Sequence, residues 1–526
     1  MTYSRVNASA ATLTKNRTED SISPFSGMCT TCIDGCIGMC EIGKSAYRGP
    51  EMIYPQPFGI ITTASAKDYP VDLSHFTILG RATGAWGIEP DSDKALFPNV
   101  NLEVRWGREP GLRSRLPFLL AALGSTNIAK NNWESLAIGA AITGTCLTIG
   151  ENVCGMDPSA RFTNGRILSS NELEWRIRTF REWQEDGWGD IILQANVEDT
   201  KLGVQEYAIA KLGVTSVELK WGQGAKDIGG EVKIRELEKA RLLKQRGYVV
   251  LPDPDDPLVA DAFKRGSFRE FERHSRIGMA SRDAFLRRVE ELRKVGAKWV
   301  TLKTGAYRPA DLARAVKWSS EADIDLLTVD AAGGGTGMSP WRMMNEWGIP
   351  AIELHTLLYQ YCHRLAQQGR YVPPIALAGG FTFEDQIFKG LALVAPYAKL
   401  IAWARSPLAA AMVGKTIGRR IEESALPIYI ERFGTTVSEV FVTAPELQER
   451  YKDRFRLIPT GAIGLYTYYQ RVAQGLRQLM CGARKFALCH IARNDIAALT
   501  PQAAAASGIP LVSDVDRDEA ENILAA

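Results

Sequence analysis

The sequence predicts an α/β protein: a (β/α)8 TIM barrel with a cysteine-bearing segment at its N-terminus and a helical extension at its C-terminus. Two observations predict the barrel. Between residues 116 and 406, eight short apolar runs alternate with helix-length stretches. The later runs close on glycines or cations, the chemistry a barrel carries at its functional end. A third observation sets the N-terminal segment apart: four of the nine cysteines fall between residues 29 and 40.

The runs are LPFLLAAL (116–123), TCLTIG (145–150), DIILQANV (190–197), TSVELKW (215–221), KWVTLKTG (298–305), DLLTVDAAGGG (325–335), PIALAGG (374–380) and KLIAWARS (399–406). Strands buried on both faces require such continuous apolar runs, and amphipathic segments such as 281–296 and 383–397 supply crossover helices. Eight units close a barrel, for which roughly 250 residues suffice. The alternative is an open doubly wound sheet. No run, however, is followed by the G-x-G-x-x-G helix entry of a dinucleotide site, which leaves no place for tightly bound NAD. The chain then divides into an N-terminal arm (1–50), a connecting segment (51–115), the barrel (116–425) with an insertion near 235–285, and the C-terminal extension (426–526). The insertion contains PDPDDP at 252–257 and alternating charges, and reads as a lid of mostly solvated helix. The extension reads as mainly amphipathic helix, including 461–480 and the alanine-rich 496–507.

Composition narrows the class of function. At 526 residues, 45% hydrophobic and 23% charged, with a mean hydropathy of −0.12, the chain has the make-up of a globular protein with a sizeable core. A net charge of +3 without a Lys/Arg block gives no field for nucleic acid or an anionic membrane, so a small-molecule substrate is expected. No apolar run reaches about 18 residues, and residues 1–20 lack a signal-peptide core; the expected location is the cytoplasm.

Cys29, Cys32, Cys36 and Cys40 are spaced C-x2-C-x3-C-x3-C among small residues, so four thiolates can converge on one centre. Soft thiolates select zinc or an iron–sulfur cluster. A tight continuous run resembles cluster-binding ferredoxin segments and predicts [4Fe–4S]. Zinc, which more often takes two separated knuckles, is the lesser alternative. Glu41 stands where the bacterial run has proline. Cys146, Cys154, Cys362, Cys481 and Cys489 are dispersed and read as small buried hydrophobes.

The strand ends carry the candidate site. Gly333-Gly334-Gly335 follows the sixth run, Gly379-Gly380 the seventh and Arg405-Ser406-Pro407 the eighth. Backbone N–H groups freed by glycine beside a helix start bind phosphate, although a single Gly-Gly pair can equally serve only a tight turn. Lys220 and Lys303 lie near the ends of the fourth and fifth runs. Two cations facing a phosphate-anchored cofactor suit one that gains negative charge on reduction, as a flavin does.

At this point a family pattern is recognisable. VELKWGQGAKDIGGEVKI (217–234) resembles the K-x-x-Q-G-A-K-P-G-E-G-G stretch of the glutamate synthase central barrel. DAAGGGTGMSP (330–340) is similar to its D-G-G-T-G-A-S-P loop, and LAALGSTN (120–127) and TIGENVCG (148–155) to its first two strand ends. The resemblance implies an FMN-binding barrel that reduces 2-iminoglutarate to L-glutamate. It implies flavin contacts from Ala122, Ser125, Lys220, Lys303, Gly334, Gly335, Gly379, Gly380 and Arg405. Gln223, Lys226 and Glu231 would stand on the substrate side. Glu151 is a candidate for handling protons, with a loop salt bridge as the plainer role.

Several departures qualify the transfer. Family members bind a cluster through cysteines following the last barrel strand, yet 408–426 has none, and the N-terminal quartet would replace them. Glu231 stands where the family has glutamine, and the proline and glutamate of K-P-G-E-G-G are missing from 226–230. Residue 2 is threonine, so glutamine hydrolysis is expected from a separate glutaminase subunit. Expected partners are a keto- or imino-acid substrate and an electron donor such as ferredoxin or a separate NAD(P)H-oxidising subunit. The competing readings are an FMN-dependent dehydrogenase or synthase of another amino or hydroxy acid, and a flavin/iron–sulfur electron-transfer subunit of a larger complex.

Overall fold

Eight parallel strands close on one another in chain order in the computed structural model, which describes Ala46 and residues 69–526 apart from 225, 226, 230 and 336–338. They are β1 (Phe118–Leu123), β2 (Cys146–Ile149), β3 (Ile191–Ala195), β4 (Ser216–Lys220), β5 (Trp299–Thr304), β6 (Leu326–Asp330), β7 (Ile375–Ala378) and β8 (Ala398–Trp403). Each falls on one of the eight apolar runs. The barrel is therefore the predicted (β/α)8 architecture; the open-sheet alternative is excluded because β8 pairs with β1, Ala402 opposite Leu119.

Helices α1 (Asn127–Thr143), α2 (Asn171–Arg181), α3 (Val204–Leu212), α4 (Arg282–Val295), α5 (Pro309–Glu321), α6 (Ala351–Gln367) and α7 (Glu384–Leu393) make the crossovers, and α8 (Arg405–Glu422) follows β8. Their ends are written locally. The Thr126 side chain accepts from Ala129 N to start α1, and Gly144, at φ 74°, ends it. Inside the barrel, Leu119, Ile192, Leu326 and Leu400 pack with Trp106 from the hairpin Val104–Trp106/Leu112–Ser114, which closes the end where the strands begin. The opposite end stays open.

Two expectations need correction. The segment after β4 has the expected helices, Leu237–Gln245 and Pro257–Lys264, but they back an unexpected antiparallel sheet in the order Glu231–Ile234, Phe271–His274, Val249–Leu251. It has its own core of Ile234, Leu243, Tyr248, Val250 and Phe271. That core is what pulls charge-rich strands into pairing. Within 496–507, Ile496–Ala498 is a strand paired with Phe76–Ile78, and the helix begins only at Pro501. Thr500 caps Ala503 N, and a residue preceding proline is pushed towards extended backbone.

Helix α9 (Thr460–Gly482) belongs to the barrel's own packing: Leu465, Tyr469 and Leu476 are fully buried in the cluster that includes α1. Tyr469 stacks on Trp403, the last residue of β8, with ring centroids 5.7 Å apart. No described helix is long and apolar enough to cross a membrane.

Candidate active site

Strand register sets the first feature of the site. Lys220 and Lys303 are direct Cα partners on β4 and β5, so both reach the open end at one level. Side chains two residues earlier share their face. Glu218, partner of Thr301 and Gln194, makes a polar layer one step deeper.

Each lysine has a fixed counter-charge. Lys303 Nζ lies 3.0 Å from Asp330 Oδ2, at the end of β6. Burial alone lowers an ammonium's pKa, but Asp330 and Glu218 outweigh it and hold Lys303 above its ordinary value. Lys220 Nζ donates to Glu151 Oε1 at 2.5 Å and to Gln223 Oε1 at 3.0 Å. Gln223 Nε2 donates in turn to the Gly335 carbonyl at 3.0 Å, tying the β4 end to the loop after β6. Glu151 follows β2. Its burial favours the neutral acid, yet the Lys220 ammonium prevails and holds the carboxyl down to about 2. At neutral pH it is an anion and has no proton to give. Glu218 behaves oppositely: burial pushes its pKa up against Lys303 and the Gln194 amide, which donates at 2.6 Å.

The glycine loops face the same space. Gly379, at φ 100°, lies so close to the β6 end that a Cβ would stand 2.9 Å from the Ala331 backbone nitrogen. Gly380, at φ 99°, has no protein atom within 4 Å of a Cβ position. The first glycine is demanded by packing between strand ends; the second leaves bare backbone at the cavity. Arg405 opens the eighteen-residue α8 beside it, and Ser406 Oγ donates to the Phe381 carbonyl at 3.3 Å.

One cavity of about 240 Å³ collects these groups. Ala122, Ser125, Glu151, Lys220, Gln223 and Lys303 line it, as do Gly334, Gly335, Gly379, Gly380 and Arg405. Lys226 and the quartet Cys29, Cys32, Cys36 and Cys40 lie outside the described residues. Glu231 opens an inserted strand, its backbone paired with His274. Of the other cysteines, Cys146, Cys154 and Cys362 are buried as expected, whereas Cys481 is half-buried and Cys489 exposed. No cluster of metal-ligating side chains occurs among the described residues.

Among the wall residues that sequence reasoning missed are Asn152, Gln194, Arg273 and Asp330. Asp330 opens the DAAGGG motif and could have been found as the strand-end acid facing Lys303. Asn152 adopts φ 65° and donates its backbone N–H to Asp199 Oδ2 at 2.8 Å. Burial pushes Asp199 up to about 7, with the Glu151 carboxylate adding to the effect.

The geometry defines a (β/α)8 barrel whose mouth brings two lysines, each with its carboxylate, and bare glycine backbone to one cavity. More particularly, residues 274–410, from the end of the insertion into α8, match the family model described as the conserved region in glutamate synthase. This bears out the family resemblance; of the motifs that carried it, DAAGGGTGMSP at 330–340 lies in the matched stretch, while LAALGSTN, TIGENVCG and the QGAK motif lie outside it. No curated protein matches the chain. Among solved structures it is similar to a mutant flavocytochrome b2 with pyruvate bound (13% identity, 85% of this chain and 81% of that one, TM-score 0.46). It is also similar to the flavin-binding domain of baker's yeast flavocytochrome b2 (12%, 85% and 81%, 0.46) and to a mandelate oxidase (14%, 80% and 87%, 0.42).

Proposed function

We propose that the chain is an FMN-dependent oxidoreductase of the glutamate synthase type that reduces a 2-imino acid, 2-iminoglutarate giving L-glutamate. The observation that carries this reading is the convergence on one cavity of Lys220, Lys303 and both glycine loops, three of these four features inside the matched stretch. The residues present fit the flavin: Gly380 leaves room where a Cβ would stand, and Arg405 with the start of α8 suits a phosphate. When bound there, FMN supplies the hydride that converts an imine carbon to an amine-bearing one. Lys303, kept charged by Asp330, favours negative charge at the cofactor. Lys220, held by Glu151 and Gln223, fixes a second cation at the same level. Glu151 acts as the counter-ion that orients Lys220, and Lys226 and Glu231 serve the substrate side. Cys29, Cys32, Cys36 and Cys40 would hold a [4Fe–4S] cluster, which would supply electrons from ferredoxin or a separate NAD(P)H-oxidising subunit. Ammonia comes free or from a separate glutaminase.

The test is anaerobic purification, FMN reconstitution and chemical reduction, followed by addition of 2-oxoglutarate with ammonia. The expected result is rapid return of the oxidised-flavin band with formation of L-glutamate. Reoxidation by a hydroxy-acid product's keto form alone, without ammonia, would instead favour the dehydrogenase reading. Failure to bind FMN refutes both.

A further inference from the structure

The inserted sheet carries a cation that no motif announces. Arg273, in strand Phe271–His274, is only 1% exposed, yet it lines the cavity that holds Lys220 and Glu151. Its Nη1 donates to Ser275 Oγ at 2.6 Å, its guanidinium stands 4.9 Å from the centre of the Tyr248 ring, and its Nε has no partner. Among the described residues no carboxylate lies within ion-pair distance of it. Other deeply buried cations all have one: Arg176 with Glu172 at 2.8 Å, Lys303 with Asp330 at 3.0 Å and Lys485 with Asp495 at 3.2 Å. A buried cation with no carboxylate in contact is unfavourable: burial pulls the Arg273 pKa down, against the opposing charges of Glu151, Asp199 and Glu198 farther off. The side chain is nevertheless held in place from two sides. Ser275 and Tyr248 both donate to Asn152 Oδ1, at 3.4 and 3.1 Å, so the guanidinium and the loop after β2 form one connected unit.

We propose that Arg273 is the anchor for a carboxylate of the substrate, supplied by the insertion rather than by the barrel; the assignment of that anion to a substrate rests on the function proposed above. Barrel order decides against the cofactor phosphate. In a closed ring of eight strands β2 lies across from β6 and β3 across from β7, so Arg273, tied to the β2 loop, faces the glycine loops from the other side of the mouth. Arg273 lines the cavity with only its Nη1 bond to Ser275 fixed, and a planar guanidinium fork suits a carboxylate, which takes two parallel N–H bonds. The ligand class is therefore an organic acid lying between the insertion and the flavin.

Glutarate, an unreactive dicarboxylate, is the probe, titrated into the FMN-loaded full chain and followed by the flavin spectrum. Arg273→Met is expected to keep FMN, to melt no lower than the parent, and to weaken glutarate binding about a hundredfold. Arg273→Lys keeps the charge but loses the fork, and weakens it about tenfold. Parent-like affinity in either variant overturns the proposal. So does a clear fall in the melting temperature of Arg273→Met, the mark of a purely structural cation, and so does absence of glutarate binding in the parent. Should the parent not take up FMN, the flavin reading fails by itself; Arg273 is then judged by the glutarate-induced rise in melting temperature, which the Met substitution should abolish.

Discussion

Replacing Glu151 by glutamine tests the electrostatics of the cavity. The substitution keeps the size of the side chain and one acceptor oxygen, but removes the charge that Lys220 meets at 2.5 Å. The Glu151 carboxyl is lowered from 4.5 to about 2. At 1.36 kcal/mol per unit this corresponds to about 3 kcal/mol of stability at neutral pH. Because the folded-state value is depressed, that contribution is complete above the unfolded value of 4.5 and is lost as pH falls through about 2. Glu151→Gln should therefore unfold at a lower urea concentration than the parent at pH 7. The gap should shrink by more than half by about pH 3, where the unfolded carboxyl is already protonated. Urea titrations of both proteins at the two pH values check this. Equal midpoints at pH 7, or a gap that persists on acidification, would refute the claim that Lys220 and Glu151 form a charged pair.

Gly380→Ala should weaken FMN binding at least tenfold in a fluorescence titration, because the methyl enters the cavity and the backbone must keep φ 99°; that strain costs about 1–3 kcal/mol. Asp199, raised from 3.8 to about 7, favours the folded protein below 3.8 and loses this advantage as pH rises through about 7. Asp199→Asn should then abolish the decline in urea midpoint across that interval and leave the variant the more stable protein at about pH 8. Lys226→Met should retain FMN but lower kcat/KM about a hundredfold, as loss of one charge-assisted contact in a dry site does; a change under twofold in single-turnover flavin reoxidation would place Lys226 outside the site.

The barrel was legible in the sequence because its strands are buried on both faces and must be apolar throughout, which leaves eight unmistakable runs. Strand-end residues such as Lys220, Lys303 and the two glycine loops were legible for the same reason, since the run itself marks where it stops. The inserted sheet was not. VVL at 249–251 and FERH at 271–274 are too short and too mixed in charge to show a period, and they become strands only because Tyr248, Val250 and Phe271 share a core. Arg273 was hidden by its own neighbourhood: in REFERHSR it reads as one charge of a solvated face, and its burial is decided by residues far off in sequence. The late start of the alanine-rich helix was, by contrast, written in Thr500-Pro501 and could have been read.

The route of the chain between Lys220 and Trp299 gives the molecule a modular economy. The polypeptide leaves the barrel at the end of β4, builds the inserted sheet with Arg273 and Val232 at the cavity wall, and rejoins the barrel through α4 into β5. Lys303, Asp330 and both glycine loops come from beyond that excursion, and the ends of β1 and β2 come from before it. If the proposed roles hold, exchange of residues 231–274 between related barrels would change which acid is chosen while the cofactor's cradle keeps its own strands. Such a chimaera would have its natural splice points at Glu231 and His274, two residues already paired across the base of the insert.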